Sequence, residues 1–268
     1  MLQKFKVHNF KNFKNDLEID FSDVNGYKFS QDCITNDLIG KMIIYGKNGS
    51  GKTNLGYALC DLKATLGFSP EINTLHSFIS NADSDSDITT FTYTFLFNQK
   101  KDTAVYEYSK SDMVNLVSEK LSVNNHVLYE YDFKENTFIT VDSDYFHNND
   151  IYSIYQSSTN SSLPFLRWCV NNGSVDKDSI FHKIYNYGSK ITQIFTPTTA
   201  AVRLTKNELD VLDKNVKELE NFLVYMGIDC KLTMEKLPDG TKELYFVFKN
   251  RKVSFLENAS SGTLSLFN

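Results

Sequence analysis

The stretch IIYGKNGSGKTNLGYAL, Ile43 to Leu59, holds Gly46, Gly49 and Gly51, three of the chain's 12 glycines. Gly46, Gly51, Lys52 and Thr53 fall at the spacing G-x-x-x-x-G-K-[ST] of a phosphate-binding loop. Ile43, Ile44 and Tyr45 read as the end of a buried strand. Leu55, Ala58, Leu59 and Leu62 recur at helical spacing, which predicts a helix to about Thr65. The residue types suit the chemistry. Glycine lets the backbone turn tightly and approach a phosphate. Free amides at a helix start, with the helix dipole behind them, attract an anion. Within Gly46, Lys47, Asn48, Gly49, Ser50, Gly51, Lys52, Thr53 and Asn54, Lys52 would reach the β- and γ-phosphates and the Thr53 hydroxyl would hold Mg²⁺. The bland alternative is a glycine turn before an ordinary helix; chance alone yields the motif in such a chain about 1% of the time.

Composition bounds the rest. The 268 residues suit one large domain or a domain with an insertion, and 41% hydrophobic content supports a real core. The 21 Phe and 15 Tyr favour a substantial sheet. Net charge is −5 and the arginines are Arg167, Arg203 and Arg251, so charge does not indicate nucleic-acid binding, although a local basic patch stays possible. Cys33, Cys60, Cys169 and Cys230 are scattered without C-x-x-C, which reads as reduced thiols in a cytoplasmic protein. The opening MLQKFKVHNF has no signal-peptide hydrophobic region, and no run of 18 apolar residues predicts a membrane span.

Along the chain, Met1–Phe21 predicts two short strands in a hairpin, followed by a loop through Asp37. ITTFTYTFLF, TAVYEYSKS, HVLYEYDF and NTFITVD predict strands of an antiparallel, aromatic-rich sheet between about residues 88 and 142, with a short helix or loop around Met113 to Leu121. Residues 145 to 227 read as mostly helical. The strongest helix is TKNELDVLDKNVKELENFLVYMG, with Thr205 and Glu208 as a capping box and Gly227 as its stop. Leu209, Leu212, Val216, Leu219, Leu223 and Met226 form one face, too short for a long coiled-coil arm. CKLTMEKLPDGTKELYFVFKN predicts a hairpin with a Pro-Asp-Gly turn. The loop NADSDSD, Asn81 to Asp87, lacks the spacing of a Ca²⁺ loop and reads as solvated. His8, His76, His126, His147 and His182 show no metal-ligand spacing.

The stretch VSFLENASSGTLSLFN contains a second small-polar turn, Ser260, Ser261, Gly262 and Thr263, before Leu264, Leu266 and Phe267 at helix-like spacing. Alone, it is explained equally well by an ordinary capped helix. Together with FKVHNFKNFKN and YGKNGSGKTNL, LENASSGTLSLF makes the chain resemble the ABC-type ATPase heads of the RecF/SMC/OLD group, and within it the AAA-family ATPases associated with abortive phage infection. The resemblance implies an α/β P-loop NTPase fold of ABC-head type, with an antiparallel β subdomain and a helical insertion. It divides the chain into residues 1–142, the N-terminal part of the head; 143–228, the helical insertion; and 229–268, a return to the head. It implies ATP and Mg²⁺ as cofactors, with Lys11 and Asn12 flanking the nucleotide; the alternative is that they are solvated hairpin residues. Ser260, Ser261, Gly262 and Thr263 would act in trans, closing over a partner's phosphates as two heads pair head-to-tail in a homo-oligomer. Such a head would regulate or drive an anti-phage effector such as a nuclease. The family's Walker B strand follows the signature helix and has no counterpart among these residues, so hydrolysis by this chain alone is not expected. A DNA-repair ATPase of the same fold and a non-hydrolysing nucleotide-dependent scaffold are the alternatives.

Overall fold

Apolar–polar alternation builds the first of two units, a seven-stranded antiparallel sheet with helices packed on it. The computed structural model describes residues 1–26, 28–67, 79–97, 102–146, 150–158, 162–194, 204–264 and 266. The first unit comprises residues 1–44, 53–80 and 86–193; the second comprises 45–52, 81–85 and 194–268. The sheet strands are β1 (Leu2–His8), β2 (Leu17–Asp20), β5 (Thr89–Phe97), β6 (Asp102–Lys110), β7 (Leu116–Val123), β8 (His126–Asp132) and β9 (Thr137–Val141), in the order β2-β1-β5-β6-β7-β8-β9. Short strands β3 (Ile34–Thr35) and β4 (Leu38–Ile39) form a separate hairpin across Asn36 and Asp37, both with positive φ as a two-residue turn requires. The expected N-terminal hairpin and aromatic sheet are both present, and every strand pairing among the described residues is antiparallel.

In-facing positions of the sheet are aromatic. Phe5 faces Tyr93, Tyr93 faces Tyr106, and Phe91 faces Tyr108 in register. These residues are fully buried, each contributing roughly 1.5–3 kcal/mol. Helix α1 (Lys52–Thr65) buries Leu55, Ala58 and Leu62 in the same core cluster. The Tyr93 hydroxyl donates to the Ala58 carbonyl at 3.0 Å and accepts from the Leu62 amide at 3.2 Å, engaging both ends of one turn. Helices α2 (Asp150–Ser158), α3 (Phe165–Asn171) and α4 (Ile180–Lys190) add Tyr155, Phe165 and Phe181 to that core.

Two expectations fail here, each for a physical reason. Residues Leu116 to Leu121 lie in strand β7, not in a helix or loop. Its alternation is masked by Glu119, a charged residue on the buried face. Its carboxylate accepts from the hydroxyls of Tyr106 (2.9 Å) and Tyr129 (2.6 Å) and from the amides of Phe165 (2.6 Å) and Leu166 (3.1 Å). The buried strand expected over Ile43–Tyr45 is also absent. Ile43 is 89% and Tyr45 92% exposed, and no backbone hydrogen bond ties residues 42–45 to a neighbouring strand among the described residues. Branched apolar composition does not make a strand without a ladder partner.

The second unit packs helices α5 (Lys206–Lys214), α6 (Val216–Tyr225), α7 (Phe255–Asn258) and α8 (Ser261–Leu264) with a sheet of β10 (Leu232–Lys236), β11 (Lys242–Val247) and β12 (Lys252–Ser254), in the order β10-β11-β12. Leu223, Leu232, Leu244 and Phe255 form its core. The capping box of Thr205 and Glu208 is present, and Gly227 has φ 84° where α6 ends. The single long helix expected here is two, broken at Asn215. The Asn215 side-chain amide donates to the Val211 carbonyl at 2.8 Å, and such local bonding competes with helix propagation. Lys242 pairs with Asp210 at 2.8 Å and Asp213 at 2.7 Å, tying α5 to β11. In the acidic loop, Asp85 pairs with the Lys249 ammonium at 3.0 Å, and Asp83 accepts from the Lys249 amide at 2.7 Å. The chain is therefore a mixed α/β protein with a large antiparallel sheet and, among the described residues, eight α-helices. None of these helices is long and apolar enough to cross a membrane. His76 and His147 lie outside the described residues.

Candidate functional site

The glycine-rich loop has the backbone its sequence asks for. Gly49 (φ 76°) and Gly51 (φ 91°) occupy the left-handed region, which a side chain disfavours. At Gly46 space is tight: a Cβ there would stand 3.0 Å from the Ser50 hydroxyl, which would have to give way. The Ser50 amide donates to the Lys47 carbonyl at 3.3 Å, closing the turn. Lys52 then folds back over it. Its ammonium donates to the carbonyls of Gly46 and Lys47, both at 2.7 Å. A single cation is thus held against the loop's backbone, and the loop passes directly into α1 at Lys52. Thr53 is exposed on the first turn of that helix, where amides have no intrahelical acceptor.

Within the first unit, Lys11 and Asn12 form the tip of a tight turn. The Phe10 and Phe13 backbones exchange hydrogen bonds at 2.8 and 2.7 Å, and Phe10 is buried on Phe91. Lys11 has φ 48°, and its amide donates to the Ile79 carbonyl at 2.8 Å. The Asn12 side chain accepts from the Asn54 amide group, so the turn meets the first turn of α1. Burial pushes the Lys11 ammonium down to about 8, because desolvation disfavours its charge.

Within the second unit, the turn carrying Ser260 to Thr263 lies against the glycine loop. A Cβ on Gly262 would fall 2.1 Å from the Asn48 amide nitrogen, so a side chain there would require the Asn48 side chain to move. The Ser260 hydroxyl caps α8, accepting from the Thr263 amide at 3.0 Å. The resemblance assigns Gly262 to a partner's phosphates, whereas here it meets Asn48 of its own chain. A cleft of about 430 Å³ opens beside this contact, lined by Gly46, Lys47, Asn48 and Gly262 and by Met226, Gly227, Ile228 and Leu266.

Two features escaped the sequence. The sequence marks Met226 as part of a helix face and Gly227 as its stop, and does not announce that Met226, Gly227 and Ile228 line a cleft. Beneath α1, buried Asp61 pairs with buried Lys110 at 3.2 Å, Lys110 donates to Thr65 at 3.1 Å, and the Tyr108 hydroxyl donates to Asp61 at 2.9 Å. The alternation Tyr106, Tyr108, Lys110 was the available signal, since it sets Lys110 on the core face. No group of three or more His, Cys, Asp or Glu side chains able to hold a metal occurs among the described residues.

Comparison with protein-family models finds no match, and neither does comparison with curated proteins.

Proposed function

We propose that the chain binds the phosphates of ATP, with Mg²⁺, on the loop Gly46–Thr53 and serves as a head of an ABC-type ATPase of the RecF/SMC/OLD kind. The observation that carries this reading is the Lys52 ammonium, held at 2.7 Å from the carbonyls of Gly46 and Lys47, in a loop whose Gly49 and Gly51 are left-handed and which leads into a 14-residue helix. An anion arriving there meets a cation and the positive end of a helix together. The loop residues therefore fit the group. Lys47 and Lys52 supply positive charge, Thr53 a hydroxyl for the metal, and Lys11 and Asn12 a turn bonded to Asn54. Bound ATP would supply a phosphoanhydride for hydrolysis. Hydrolysis would also need a carboxylate to hold the metal or orient water, and the described residues lining the cleft offer none. Binding is thus what these residues themselves support.

The wider role rests on the sequence resemblance: head-to-tail pairing of copies of this chain, cytoplasmic, regulating an anti-phage effector such as a nuclease. The net charge of −5 weighs against direct action on DNA. Light scattering tests the pairing. ATP with Mg²⁺ is expected to double the molar mass of the wild-type chain and to leave Lys52→Ala unchanged. A wild-type mass that does not respond to ATP contradicts pairing.

A further inference from the structure

One wall of the cleft beside the glycine loop does not suit phosphate. Gly46, Lys47 and Asn48 line one side, and Met226, Ile228 and Leu266 another. Met226 is 49% and Leu266 39% exposed, so two large apolar side chains stand open to water beside a charged loop. The amides of Gly227 and Ile228 donate to the carbonyls of Val224 and Leu223, both at 2.9 Å, so this wall has carbon and carbonyls to offer but no amide donors. It also follows the C-terminus of α6, the negative end of a helix dipole, which repels an anion. An added Cβ on Gly227 would meet nothing within 4 Å, so the space beside it is open.

We propose that the cleft seats the base and ribose of the nucleotide whose phosphates lie on the loop. The inference rests on the phosphate-loop reading and extends it. The polarity of the walls sets the direction: phosphates toward Lys47 and Lys52, the heterocycle against Met226, Ile228 and Leu266. A volume of about 430 Å³ exceeds what a phosphate group needs and falls within the roughly 300–1,000 Å³ of small-molecule sites. A thioether against an aromatic face is a favourable contact, and covering exposed apolar carbon is favourable in itself. The Asn48 amide, lying against Gly262, has both a donor and an acceptor for the edge of a base.

The test separates base from phosphate. Calorimetry measures the affinity of the full chain for ATP and for inorganic tripolyphosphate, in wild type, in Met226→Gln/Leu266→Gln and in Lys52→Ala. Both altered side chains of the double variant are exposed and uncharged after substitution, so its fold and its attraction for anions are retained. The expected result is an ATP affinity about tenfold weaker in the double variant, tripolyphosphate affinity unchanged, and both weakened in Lys52→Ala. Equal loss of the two ligands in the double variant, or loss of neither, overturns the inference, and so does a wild type that binds tripolyphosphate as tightly as ATP. In those cases weakening of both ligands by Lys52→Ala leaves the phosphate loop standing. A wild type that binds neither ligand fails the phosphate loop and this inference together.

Discussion

Lys52 and Thr53 stand out in the sequence because the chemistry proposed for them is tied to spacing. A glycine loop, a lysine and a hydroxyl residue at a helix start can be read without knowing what the rest of the chain does. Thr53 is exposed on the first turn of α1, so its hydroxyl is available to a metal. Thr53→Val is expected to weaken Mg-ATP at least about fivefold while leaving metal-free ATP nearly unchanged, measured by fluorescence titration with and without Mg²⁺. Equal effects count against a metal role. Lys11 was singled out only through the resemblance, because its partial burial depends on the turn between Phe10 and Phe13. With its ammonium lowered to about 8, Lys11 is substantially neutral near pH 8.5. An adjacent polyphosphate favours the charged form and draws the proton back, so ATP binding should take up a fraction of a proton at that pH. Calorimetry in two buffers of different ionisation enthalpy should find that uptake in wild type and not in Lys11→Met. Equal uptake in both would place Lys11 away from the phosphates.

At the scale of elements, α1 is held to the sheet by more than apolar contact. Lys110 is 2% and Asp61 6% exposed, so this ion pair lies out of water. Removing one partner leaves a buried charge, which costs about 3–5 kcal/mol. Lys110→Met is expected to lower unfolding free energy by that amount in urea titration, and adding Asp61→Leu should recover part of it. A single variant as stable as wild type would show that the pair does not anchor α1. The elements that were legible have strong local signals: the alternation of β5, β6, β8 and β9, and the Thr205–Glu208 capping box. The elements that were not legible depend on contacts distant in sequence. Strand β7 hides Glu119, whose acceptor capacity is met by residues as far along the chain as Phe165 and Leu166. The segment Met42–Tyr45 has strand composition but no ladder partner among the described residues, and no local pattern announces that.

At the scale of the molecule, the sequence foretold a mixed α/β chain with an antiparallel aromatic sheet and a helical stretch, and the structure has both. The glycine loop joins its two units through covalent continuity: Tyr45–Lys52 belongs to the second and α1 from Thr53 to the first. No pattern in the sequence told that the residues on either side of the Lys52–Thr53 bond belong to different units, since such a boundary is a property of packing. Nor did any local pattern set Gly262 beside Asn48, two residues more than two hundred positions apart. What unites these observations in our proposal is nucleotide binding at one loop. The most direct measurement is calorimetric titration of ATP with Mg²⁺ into wild type and Lys52→Ala, with circular dichroism verifying that both are folded. One nucleotide per chain, bound at least about tenfold more weakly by Lys52→Ala, is the predicted result, a loss of about 1.4 kcal/mol. Equal ATP affinity in the two proteins, or no binding by folded wild type, would contradict it.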